Sequence, residues 1–154
     1  AKSRKDTAQI FLHNPETSHF NVLLSNISND TFEIYDEWNS FGYFNLTFEI
    51  VYPDGKIVTS CKHSSGWDFN GPTSSSIPPG GHYIFEVSFD NDSTKGNEWW
   101  YNSIRNKPGK TTCCKIKAIY QNELNDEFNN KHAIWTGKVE SAMTDYIVHL
   151  DNKG

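Results

Sequence analysis

Residues 44–62 read FNLTFEIVYPDGKIVTSCK, and this stretch decides the fold. Phe44, Leu46, Phe48 and Ile50 alternate with Asn45, Thr47 and Glu49. Side chains on a strand point to opposite faces in turn, so the pattern predicts one apolar and one polar face. Pro53, Asp54 and Gly55 follow. Proline presets φ and glycine accepts a positive φ, which suits a tight turn. The chain then returns over 56–62 with Ile57, Thr59 and Cys61 on one face. Strand, turn and returning strand make a hairpin.

The same period of two recurs outward from this hairpin. Phe20, Val22 and Leu24 predict a strand near 18–26, and Phe32 and Ile34 a short one after the Asn29-Asp30 turn. Gln9 to His13 adds an edge strand. Ile77-Pro78-Pro79-Gly80-Gly81 leads into Tyr83, Phe85, Val87 and Phe89 on one face. Cys114, Ile116, Ala118 and Tyr120 alternate with Lys115 and Lys117. Ala133, Trp135, Gly137 and Val139 form a further strand, and Tyr146, Val148 and Leu150 the last. Residues 64–81 and 121–132 read as polar loops, and 97–105 as a short helix or irregular segment. No helical period competes. The expected fold is all-β: an antiparallel two-sheet sandwich with immunoglobulin-like Greek-key connections and about eight or nine strands. A closed barrel is the rival. Trp67 falls in a loop soon after Cys61, so the antibody Cys, Trp, Cys spacing is absent.

A length of 154 residues fits one domain. Its core spans about 18–150, with 1–8 expected to fray. Aromatic residues reach 14% and supply much of the buried area. The net charge of -5 argues against a nucleic-acid partner, because phosphate binding needs clustered Lys and Arg. No apolar run approaches the ~18 residues of a membrane span. A start at Ala1 fits several kinds of processing, and a secreted or cell-surface setting is the expectation carried forward.

Cys61, Cys113 and Cys114 show no Cys-x-x-Cys or zinc spacing. Either all three are buried thiols, or Cys61 bridges to Cys113 or Cys114. As strand neighbours, Cys113 and Cys114 should face opposite ways. Cys61 and His63 could share a face, but a buried thiol beside a surface His is the ordinary arrangement. No nucleophile-elbow motif accompanies the serines. The pairs Asp36-Glu37 and Asp126-Glu127 read as solvated loop charges rather than acid/base dyads. Glu98 beside Trp99 is a better candidate, since an aromatic wall raises a carboxyl pKa. The histidines His13, His19, His63, His82, His132 and His149 lack metal-ligand spacing. The run Asp90-Asn91-Asp92-Ser93 lacks the glycine and distal glutamate of a calcium loop. No metal and no cofactor is expected.

Trp38, Trp67, Trp99 and Trp100 fall in loops or at strand ends, whereas Trp135 belongs to the core. Loop tryptophans either cap the open ends of a sandwich or anchor a ligand, because they bury a large area at low entropic cost. Asn-x-Ser/Thr sequons begin at Asn26, Asn29, Asn45 and Asn91; in an asparagine-rich chain some arise by chance.

Several motifs together resemble a known type. The run 22–28 (VLLSNIS) resembles the "strand then Asn-x-Ser" opening of bacterial sandwich domains. Pro53-Asp54-Gly55-Lys56 resembles their central hairpin, and Ile77-Pro78-Pro79-Gly80 their Pro-Gly step, with Gly81 in place of a Glu. Ala118-Ile119-Tyr120 and the run 135–141 (WTGKVES) resemble their closing strands. In outline the chain is similar to the bacterial intracellular proteinase inhibitor-like sandwich. The resemblance implies a binding or inhibitory module rather than an enzyme. The function expected is therefore non-catalytic recognition of a protein partner. The alternative is a carbohydrate-binding module that uses the loop tryptophans on a glycan.

Overall fold

The Pro53–Gly55 turn forms as its residues dictate. Gly55 donates its N–H to the Tyr52 carbonyl and takes φ 89°. Asp54 Oδ1 accepts the Lys56 N–H, closing the turn from the side. On either side lie β4 (Leu46–Val51) and β5 (Ile57–Ser60), paired antiparallel with Ile50 opposite Val58.

The computed structural model describes residues 7–13, 19–38, 41–62, 73–88, 112–123 and 133–148. The remaining strands are β1 (Ala8–His13), β2 (His19–Asn26), β3 (Phe32–Tyr35), β6 (Ser74–Ile77), β7 (His82–Ser88), β8 (Thr112–Asn122), β9 (Gly137–Glu140) and β10 (Thr144–Val148). The fold is all-β. One sheet has the order β1-β2-β7; a five-stranded sheet runs β10-β8-β4-β5 with β9 also on β8; β3 and β6 form a two-stranded sheet. The pairings between these described strands are antiparallel, and an isolated parallel bridge joins Glu33 of β3 to Ile134.

Alternation decides the core. Ala8 and Ile10 of β1, Phe20, Val22 and Leu24 of β2, and Phe85 and Val87 of β7 turn to one side of the first sheet and are buried. Facing them from the five-stranded sheet are Phe48, Ile50, Cys114, Ile116, Ala118, Tyr120 and Tyr146. The faces meet through rings. Phe20 stands edge-on to Phe48 at 5.5 Å, and Phe85 lies 5.8 Å from Tyr120. Each such contact adds about 0.5–1.5 kcal/mol beyond area burial.

The structure corrects several expectations. Strands number ten among the described residues. Part of the expected 64–81 loop is β6, because β3 offers it a ladder and carboxylates. Ser74 Oγ donates to Glu33 at 2.7 Å, and Ser75 Oγ donates to Asp36. Phe44 is not a strand residue: residues 41–45 turn, with the Asn45 N–H on the Gly42 carbonyl, and Phe44 is exposed. Residues 133–136 leave the expected strand and cross to β3. There the Trp135 N–H donates to the Glu33 carbonyl at 2.7 Å, and Ala133 takes φ 50°. Gly137 turns the chain into β9 at φ 139°, under the Trp135 ring, where a Cβ would crowd the indole at 3.2 Å. Of the stretch expected to fray, residues 1–6 lie outside the described residues, and Thr7 is hydrogen-bonded: its Oγ1 accepts the Trp135 indole N–H and its carbonyl accepts the Ile27 N–H. Phe89 and Leu150 lie outside the described residues.

Candidate functional site

The Asp36-Glu37 pair, expected to be solvated, is instead held in a polar clasp. β3 ends at Tyr35; Asp36 takes the Ser75 hydroxyl of β6, and Glu37 reaches to where β5 ends and β7 begins. Glu37 Oε1 receives Lys62 Nζ at 3.3 Å, and Oε2 receives the Tyr83 hydroxyl at 2.9 Å. The Lys62 side chain is only 3% exposed, and its ammonium lies 4.7 Å from the Tyr43 ring centroid. A buried ammonium needs both a counter-ion and hydrogen bonds to offset lost hydration. Burial first, then the Glu37 charge, pushes the Tyr83 phenol up, so Tyr83 stays a proton donor to Glu37. Burial likewise raises Tyr120, whose hydroxyl lies near Asn45 but makes no well-formed bond among the described residues.

Chemically this clasp holds rather than reacts. Each Glu37 oxygen has a donor, and the lysine sits between a carboxylate and a ring. Trp38 follows Glu37 directly in the chain and is 56% exposed. Trp38 is thus presented to solvent rather than folded back as a cap. The other candidates, Trp67, Glu98, Trp99 and Trp100, lie outside the described residues, as do His63 and the Asp126-Glu127 pair. Sequence reasoning passed over Lys62, Tyr43 and Tyr83. The signal for them was weak, since a charged residue closing a hairpin arm is ordinarily solvated.

The first sheet carries a second feature on its outer face. The register sets Phe11 opposite Leu23 and Leu23 opposite Ile84. Phe11 is 49% and Ile84 57% exposed, so an apolar row crosses all three strands where polar residues are the rule. Beside it Ser25 Oγ and His82 Nδ1 share a hydrogen bond of 2.6 Å. Ser25 is buried and no carboxylate completes a triad among the described residues, so this is a cross-strand pair.

The cysteines carry free thiols: Cys61 half-buried, Cys113 exposed and Cys114 buried. The expectation of three buried thiols therefore holds for Cys114 alone, failing for exposed Cys113 and half-buried Cys61, while the opposite facing of Cys113 and Cys114 is found. A Cys61 bridge is ruled out by register. Ser60 stands opposite Phe48, and Phe48 opposite Ala118. Cys114 is a further ~13 Å along β8 and two strand spacings, ~10 Å, across. Disulfide Cα atoms must approach within about 7 Å.

Among the described residues no cluster of His, Cys, Asp and Glu could hold a metal ion, and no helix is long and apolar enough to cross a membrane. No family model, curated protein or solved structure matches this chain.

Proposed function

We propose that this protein is a non-catalytic binding module that recognises another protein, inhibition being one form such recognition takes. The observation that carries the reading is the outer-face row Phe11, Leu23, Ile84 on the three-stranded sheet, with half-buried Leu23 between exposed Phe11 and Ile84. Contiguous exposed apolar surface costs free energy in water and marks interaction sites. An immunoglobulin-like layering, the resemblance to inhibitor-like sandwiches, and a secreted setting belong to the same proposal. Ile84→Lys places a charge in the row without touching the core. Capture of a partner protein by the wild type should be lost in this variant, with stability changed by no more than about 0.5 kcal/mol. Equal capture by Ile84→Lys, or no partner for the wild type, overturns the proposal.

A second reading rests on Trp38, which follows Glu37 in the chain and is exposed to solvent. An exposed indole suits stacking on a sugar ring. Glycan-array binding that disappears in Trp38→Ala supports this reading; an array with no signal removes it.

A further inference from the structure

The backbone of β1 points to how a partner docks. The Ile27 N–H donates to the Thr7 carbonyl, which makes Thr7 and Ile27 a hydrogen-bonded pair of the β1–β2 ladder. Such pairs recur every second residue in an antiparallel ladder. Gln9, Phe11 and His13 therefore turn their N–H and C=O groups towards β2. Ala8, Ile10 and Leu12 turn theirs to the opposite edge. The β2–β7 side agrees: the Asn26 N–H donates to the Gly81 carbonyl, so the even-numbered residues of β2 face β7.

That edge of β1 has no strand partner among the described residues. Ala8 is 3% and Ile10 4% exposed, with their side chains in the core. Beside them lies a groove of about 400 Å³, lined by Ala8, Ile10, Phe11, Val139 and Ala142, with Lys138 and Glu140 at its rim. Strand β1 (AQIFLH) carries no proline, lysine or acidic residue, the devices that ordinarily protect an edge.

We infer that this groove receives an extended segment of another polypeptide, which adds to β1 as a fourth strand of the three-stranded sheet. The inference rests on the protein-binding reading above and names its mode. An edge that offers amides and carbonyls every second residue is complementary to another extended backbone. Alternate side chains of the segment enter the groove against Ala8, Ile10, Val139 and Ala142. Small or β-branched apolar residues suit those positions. The positions between them stand beside Phe11 and extend the outer apolar row. A second copy of this chain fits less well. Its own β1 has Ala8 and Ile10 committed to its own core, and two chains of net charge -5 repel.

The test is amide exchange on the full-length ¹⁵N-labelled protein. The probe is an acetylated, amidated octapeptide in which valine alternates with threonine. Without peptide, the Ala8 and Ile10 amides should exchange faster than those of Gln9 and Phe11. With millimolar peptide they should slow about tenfold or more, while Gln9 and Phe11 stay unchanged. The same peptide with alternate amides N-methylated should produce no slowing. No slowing with the unmodified peptide overturns the inference. So does protection of Ile10 in the free protein, which means that the chain's own residues fill the edge. Protection that rises with protein concentration alone identifies a second copy as the occupant and also overturns it. Ala8→Pro removes one groove-facing amide and should abolish the slowing at Ile10; the methylated peptide decides the matter if that variant misfolds. Partner capture that survives Ala8→Pro but not Ile84→Lys would sink this docking mode and leave the broader reading standing.

Discussion

At the scale of single residues, side-chain identity and side-chain role come apart. Asn26 opens a sequon in the sequence, yet its amide is buried and pins a corner. Its Nδ2 donates to the carbonyls of Ile77 and Asp30, both at 2.8 Å, and its Oδ1 accepts the Ser28 N–H. The Ile77 carbonyl belongs to β6, so this one amide ties the end of β2 to a segment far along the chain. Asn26→Ala should cost about 2–3 kcal/mol, because it leaves a buried carbonyl unpaired, and urea unfolding checks this. The cysteines divide by exposure. Iodoacetamide followed by mass spectrometry should label Cys113 first and Cys61 more slowly. Cys114 should react only after unfolding, since burial both hides its thiol and pushes its pKa up. Equal rates for Cys113 and Cys114 would contradict the orientation of β8. The alternation Cys114, Ile116, Ala118 announced that orientation in the sequence. Nothing local announced the Glu37–Lys62 pair, because its members are distant in sequence and meet only through the fold.

At the scale of elements, β9 and β10 behave as one edge strand with a kink. Ile119 stands opposite Glu140, while Ile116 stands opposite Thr144. Residues 117 and 118 therefore face 141, 142 and 143, one residue too many, which is a β-bulge. Ser141 repairs the ladder: its Oγ accepts the Ala118 N–H at 2.9 Å, and its own N–H donates to the Ala118 carbonyl. Ser141→Ala should lower stability by about 1–2 kcal/mol and speed exchange of the Ala118 amide. The hairpin of β4 and β5 was legible because its period and turn residues are local. Strand β6 was not: serine is neutral towards strands, and only pairing with β3 and the carboxylates of Glu33 and Asp36 makes one there. The 133–136 crossing was hidden likewise, since a run that alternates cannot report that its hydrogen bonds go to β3.

At the scale of the molecule, buried phenols couple the fold to pH. Burial first, then Cys114 and Asp54, pushes Tyr52 up to about 12, and burial also raises Tyr83 and Tyr120. In an unfolded chain tyrosine loses its proton near pH 10. Between these values the unfolded state binds fewer protons than the native state, so stability falls as pH rises. Thermal midpoints should hold steady below pH 10 as far as these phenols are concerned and drop towards pH 12. Tyr52→Phe should flatten part of that fall; a midpoint unchanged from pH 10 to 12 in the wild type would refute the burial of these rings. The sequence by itself determined the strand period, the Pro-Asp-Gly hairpin and the apolar faces, because alternation and turn chemistry act between near neighbours. Tertiary structure alone decided which strands pair, where Lys62 finds its carboxylate, and that Phe11, Leu23 and Ile84 line up on one outer face. Those facts depend on register between segments far apart in the chain, and register is set by the packing of whole faces rather than by any residue's own preference.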